Sequence, residues 1–145
     1  MKVPDVELRK LLAELNPQLH AGVYVFCVVQ DPSSLAALPD VARMSEPEGT
    51  TLVLREEDAI AADLEIQYRA AWITLRVHSE LKTVGLTAAF SSALASRGIG
   101  CNVIAGVFHD HLFVPAGTGM KAVAVLQSLP YQYFQIQRMP PLWLW

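Results

Sequence analysis

The order of apolar runs and turn signals constrains this chain most. Strand, helix, strand, strand, helix, strand can be read along it twice in succession. In the first pass VYVFCVV, residues 23–29, is apolar on both faces and suits a central buried strand. Asp31 to Ser34 begins a short helix that ends near Pro39, a weaker strand follows at Val41 to Ser45, and Glu46 to Gly49 turns into TTLVL. Glu56, Glu57 and Asp58 then stack acids where a helix N-terminus favours them, ahead of AIAADL, and EIQYR closes the pass as a strand.

In the second pass WITLRVH sets Trp72, Thr74 and Arg76 on one face and Ile73, Leu75 and Val77 on the other. LTAAFSSALASRG is a helix of small residues ended by Gly98. CNVIAGVF and HLFVP read as hairpin strands, TGMKAVAVLQSLP as a helix and YQYFQIQ as a last strand. An extra helix precedes both passes: Pro4 and Asp5 suit its start, Leu8, Leu11, Leu12 and Leu15 recur at helical spacing, and Asn16-Pro17 stops it. The order is that of the split ferredoxin-like motif. It predicts an α+β fold of two tandem βαββαβ units, each an antiparallel sheet with two helices on one face. The expected division is 1–69 for the N-terminal helix and first unit, 70–137 for the second unit, and 138–145 for a tail.

At 145 residues, 52% of them hydrophobic and 17% charged, the chain can bury the core such a fold requires. Its apolar runs fall short of the roughly 18 residues of a membrane span, and MKVPDVELRK lacks the apolar stretch of a signal peptide. The expected location is the cytoplasm. Cys27 and Cys101 both sit in strand-like apolar runs, which agrees with a reducing compartment and predicts no disulfide framework.

Charge is uneven. Through residue 65 there are twelve acids against five bases, and beyond it two acids against six bases, so the halves carry -7 and +4 within a net charge of -3. That split favours packing of the halves on each other and draws an anionic or zwitterionic ligand toward the second. The bases of the second half are spread singly, which speaks against nucleic acid.

GVFHDHLFVP, residues 106–115, is the most unusual stretch, with His109 and His111 flanking Asp110. Residues two apart on a strand share a face, so both imidazoles can approach one metal ion. A closed zinc site needs four ligands, however, and only His78 stands near in the motif order. The favoured reading is that Asp110 orients an imidazole at a tight hairpin, at a seam with the first half or a second chain. A nucleophilic site fares worse: Ser79 adjoins His78, which points the two side chains to opposite faces, and there is no G-x-S-x-G elbow.

VHSELKTVGLTAAFSSALASRGIGCNVIAGVFHDHLFVP, with GVYVFCVV and EPEGTTLVL, resembles a small bacterial family of tandem ACT-domain proteins, formerly a domain of unknown function. The resemblance covers residues 8 to about 129. It implies two ACT units side by side, a non-catalytic regulatory role, and a small-molecule ligand such as an amino acid. It also makes a homodimer the expectation; the ligand count speaks against a metal, no cofactor is expected, and the alternatives are a structural or protein-interaction module without ligand, or a metal-dependent hydrolase at the HDH turn. Two departures stand out. Glu80-Leu81-Lys82-Thr83 replaces the family's usual Ser-Leu-Glu-Ala, and YQYFQIQRMPPLWLW has no family counterpart.

The chemistry of the same loop agrees with that expectation. A strand that enters a glycine-bearing turn and then a helix leaves backbone N–H groups free for a carboxylate. Gly85, Leu86 and Thr87 line that place, Ser79 and Thr87 add hydroxyls, Glu80 can meet a ligand ammonium, and Asn102 offers a donor and acceptors. In ligand-binding ACT domains the loop after the first strand and the start of the second strand carry the ligand, which adds Val84 and Val103, with His109, Asp110 and His111 as further contacts. The competing reading makes Gly85 a tight turn, Thr87 a helix cap and Asn102 a loop tether. His20, in a loop after Pro17, reads as a surface residue, and PPLWLW as a docking tail.

Overall fold

The computed structural model describes residues 5–31, 33 and 36–138, except the side chains at 5, 6 and 132–138. Four helices and seven strands are seen among them: α1 (Asp5–Ala13), β1 (Pro17–Leu19), β2 (Tyr24–Val29), β3 (Asp40–Glu46), β4 (Gly49–Arg55), α2 (Glu56–Ala61), β5 (Ile66–Leu75), α3 (Leu86–Ser96), β6 (Asn102–Ala105), β7 (Asp110–Pro115) and α4 (Gly119–Arg138). The strands form one antiparallel sheet in the order β3-β4-β2-β5-β7-β6, with β1 also paired to β5. Of the helix expected over 31–39, residues 32, 34 and 35 lie outside the described residues, while 36–39 form a turn into β3 and not the end of a helix.

Two ferredoxin-like units meet in β5. EIQYR and WITLRVH, expected as separate strands, run on as Ile66–Leu75 because alternation continues without a turn residue between them. The first half of β5 pairs with β2, from Tyr24↔Ala70 to Cys27↔Ile66, as the closing strand of the first unit. Its second half pairs with β7, from Ala70↔Pro115 to Leu75↔Asp110, as the opening strand of the second.

The last strand expected at YQYFQIQ is instead the continuation of α4, which runs to Arg138 through Pro130. The reason lies at the other end of the chain. β1 already occupies the edge of β5 where that strand would pair, with Pro17↔Leu75, Gln18↔Thr74 and Leu19↔Ile73 in register. The tail with Trp143 and Trp145 lies outside the described residues.

Alternation in the strands sorts the core into two faces. On one face Ala71, Ile73 and Leu75 of β5 and Leu112 and Val114 of β7 pack under α1, α3 and α4, with Leu12, Phe90, Leu94 and Leu126 almost wholly buried. Burial of a side chain such as Phe90 contributes about 2–3 kcal/mol. The first unit continues that face with Val25, Cys27, Leu52 and Leu54 against Ala59 of α2. Among the described residues no helix packs on the opposite face. That face gathers Tyr24, Val53, Ala70 and Phe113, with Phe26, Tyr68 and Trp72 beside them. Val41 and Ala42 of one edge strand and Ile104 of the other join this same cluster, so the sheet curls until its two edges approach over the helix-free face.

Candidate functional site

The loop between β5 and α3 is built as the sequence suggests, with Gly85 at its hinge. Gly85 takes φ 97° and ψ -20°, a left-handed conformation that costs glycine little. It stands at the N-cap of α3, and no side chain caps the helix. The first bond back to the cap runs from the Ala89 amide to the Gly85 carbonyl at 3.0 Å, so the amides of Leu86, Thr87 and Ala88 precede it. Thr87 is therefore inside the first turn and not the cap. Ser79 is half-buried in the same loop, and Val84 is exposed. Glu80 pairs with Lys82 at 3.1 Å on open surface, where such a pair contributes little to stability.

Asn102 does not join them. It pairs with Phe113 at the far end of the β6–β7 hairpin, and alternation with Val103, which packs into the helix-side core, turns its side chain to the helix-free face. The sheet separates it from the start of α3. His109 lies closer to the loop, with Nδ1 3.4 Å from the Val77 carbonyl oxygen.

Asp110 and His111 part company. Leu75↔Asp110 and Thr74↔His111 are successive pairs, so the two side chains leave the sheet on opposite faces. Asp110 was expected to orient an imidazole; among the described residues no hydrogen bond joins it to one. His111 is held by Trp72 and Thr74, because these are the β5 residues that share its face. Trp72 Nε1–H donates to His111 Nδ1 at 3.1 Å, and Thr74 Oγ1 lies 3.1 Å from the same nitrogen. Indole N–H can only donate, so Nδ1 is an acceptor and the neutral ring carries its proton on Nε2. Thr74 then donates to Nδ1 and accepts from His20 Nε2 at 2.7 Å. His20, expected at the surface, is instead half-buried and stacked on Trp72, with ring centroids 3.5 Å apart and planes 11° apart. The chain His20–Thr74–His111–Trp72 ties the segment after β1 to the second unit.

The electrostatics agree with neutral imidazoles. Burial lowers the pKa of His111, His109 adds to the effect, and Asp110 opposes it. Burial also lowers that of His20, helped by His111, Arg76 and Arg55. Asp110 is raised, again by burial first, with His111 acting against it. Among the described residues no three His, Cys, Asp or Glu side chains converge in a way that holds a metal ion. Local reading missed His20 because its place depends on β1 pairing with β5 across more than fifty residues, and Trp72 and Thr74 because theirs depends on β5 pairing with β7. The signal that was present is the shared face of Trp72 and Thr74.

Two family models, each described as an ACT domain, match residues 5–71 and 67–128, overlapping in β5. Among solved structures the chain is similar to a Vibrio cholerae protein of unknown function described as a possible transport protein. That match has 46% identity and a TM-score of 0.78, covering 86% of this chain and 96% of that one. An Agrobacterium tumefaciens protein shares the fold at 17% identity and TM-score 0.61, with coverage of 79% and 87%. The regulatory subunit of aspartate kinase from Thermus flavus shares it at 12% identity and TM-score 0.56, with coverage of 81% and 98%. No curated protein matches the chain.

Proposed function

Since the chain belongs to the ACT-domain family and carries two such units in tandem, we propose that it is a non-catalytic regulatory protein that binds an amino acid or similar small carboxylate at the start of α3. ACT domains are typically regulatory ligand-binding modules. The observation that carries the proposal is the first turn of α3, which no side chain caps and whose amides at Leu86, Thr87 and Ala88 precede the first bond back to Gly85; Ser79 and Glu80 lie in the loop that leads to it. Donors and helix field favour a carboxylate there, and the Glu80 carboxylate suits the ammonium of the same ligand. Asn102 is left out of this site by its place on the other face.

A second reading, a contact surface for another copy, is favoured by one observation. Leu81, Val84, Val107 and Phe108 are 65%, 55%, 65% and 69% exposed at the same end of the sheet. Exposed apolar groups in such number mark interaction surfaces. The two readings are compatible if the ligand is held where copies meet. We place the protein in the cytoplasm; no helix among the described residues is long and apolar enough to cross a membrane.

The test is thermal melting against the common amino acids, with Thr87→Glu as the control. A ligand at about a hundred times its Kd adds about 2.7 kcal/mol of apparent stability. The expected result is a raised midpoint with one class of amino acid, lost in Thr87→Glu because its carboxylate occupies the amides. Unchanged melting across the set, or a shift that survives Thr87→Glu, overturns the proposal.

A further inference from the structure

The curled sheet leaves a cleft of about 400 Å³ over the helix-free face, between the edge strand β3 and the β5–β7–β6 side. Its walls are Val41 and Ala42 on one side and Trp72, Phe113 and Ile104 on the other, with Asp40 and His111 as the polar members. Its size falls in the range of small-ligand pockets, which are mostly apolar with a few placed polar groups. The start of α3 lies across the sheet, so this cleft is separate from the site proposed above.

We propose that this cleft is a second binding site, for a small arylalkylamine: an aromatic ring against Trp72 and Ile104, above the buried Phe113, and an ammonium group on the Asp40 carboxylate.

Three observations carry it. The ring wall is preformed: Trp72 lies nearly parallel to the fully buried Phe113, with planes 13° apart and centroids 6.2 Å apart, and is held by the stacked His20. A rigid aromatic wall presents a π surface without losing side-chain freedom on binding. Among the described residues that line the cleft Asp40 alone carries a formal charge, with Arg43 paired to it from outside the lining, while the Trp72 N–H on Nδ1 holds His111 neutral. The carboxylate is also placed: Asp40 Oδ2 is anchored by Arg43 Nε at 2.9 Å, and its side chain is 22% exposed. A ligand ammonium adds to that half-screened pair at the rim, while a ligand carboxylate meets repulsion from it.

The test is titration calorimetry of the full chain with 2-phenylethylamine and, in parallel, 2-phenylacetate. The amine is expected to bind and the acid not to. Asp40→Asn keeps the volume and is expected to weaken the amine about tenfold. Ala42→Trp fills the cleft and is expected to abolish binding, with circular dichroism confirming the fold; should that variant unfold, Ile104→Trp fills the cleft from the facing wall and is read instead. Thr87→Glu, across the sheet, is expected to leave amine binding unchanged even though it blocks the α3 site, so the two proposals fail separately. No heat with the amine, equal binding of the acid, or amine binding that survives the filled cleft overturns the proposal.

Discussion

Trp72 donates its indole N–H to Nδ1 of His111 across adjacent strands, at 3.1 Å, and thereby holds the imidazole neutral. A proton on Nδ1 has to displace that bond. His111 and His20 both have pKa values lowered from 6.5 by burial. Between the folded and unfolded pKa values the unfolded chain binds more protons, so stability rises with pH through that window. The contribution is present above about 6.5 and is lost as pH falls through the folded values. Melting midpoints should therefore drop between pH 7.5 and pH 5.5. His111→Asn, which keeps an acceptor near the Nδ1 position but cannot ionise, should flatten the drop. Asp110 acts in the opposite direction: its raised pKa favours the fold as pH falls through the carboxylate range, so the histidine effect belongs to the less acid arm. An equal slope in wild type and His111→Asn would refute the assignment.

Gly85→Ala should destabilise the protein by about 1 kcal/mol, because φ 97° is strained for any residue with a Cβ. Gly85→Asn should recover part of the loss, since asparagine tolerates the left-handed region better. Urea unfolding of the three proteins reads both effects. A Gly85→Ala protein as stable as wild type would mean that the loop relaxes to another conformation.

Cys101 should react sluggishly in the native state. Burial pushes its thiol up to about 11, and burial raises Cys27 as well, so little thiolate is present near neutral pH. Ellman's reagent should label both cysteines rapidly only after denaturant is added. Fast stoichiometric labelling of native protein at pH 7.5 would contradict the full burial of Cys27 and the half-burial of Cys101.

Phe90→Ala should cost about 3–5 kcal/mol, because Phe90 is fully buried among α3 and the sheet and leaves a cavity. Ile60→Ala on the 63% exposed face of α2 should change stability by no more than about 0.5 kcal/mol. The pair, measured by the same denaturant titration, checks which side of each helix faces the core.

Element identity was legible wherever local pattern dominates. VYVFCVV became β2 because a strand buried on both faces needs that composition, and Gly85 was readable as the hinge because the loop requires a positive φ. Distant pairing was not legible. Nothing local says that Pro17–Leu19 fills the edge beside Leu75, and without that fact YQYFQIQ was free to read as a strand. The same gap put His20 at the surface, because neither alternation nor capping says which strand lies alongside β5. Asp110 differs, since alternation alone turns it to the face opposite His111.

The ten residues of β5 serve both halves at once. A cut after residue 70 would leave the first product its pairing with β2 but orphan its β1, and would take from the second both the Ala70 end of its opening strand and its β1 edge. Neither product inherits a complete sheet, so the chain should melt in a single transition. Any recombination that shuffles its halves must carry this strand, and the partner edges on both sides of it, as one indivisible piece.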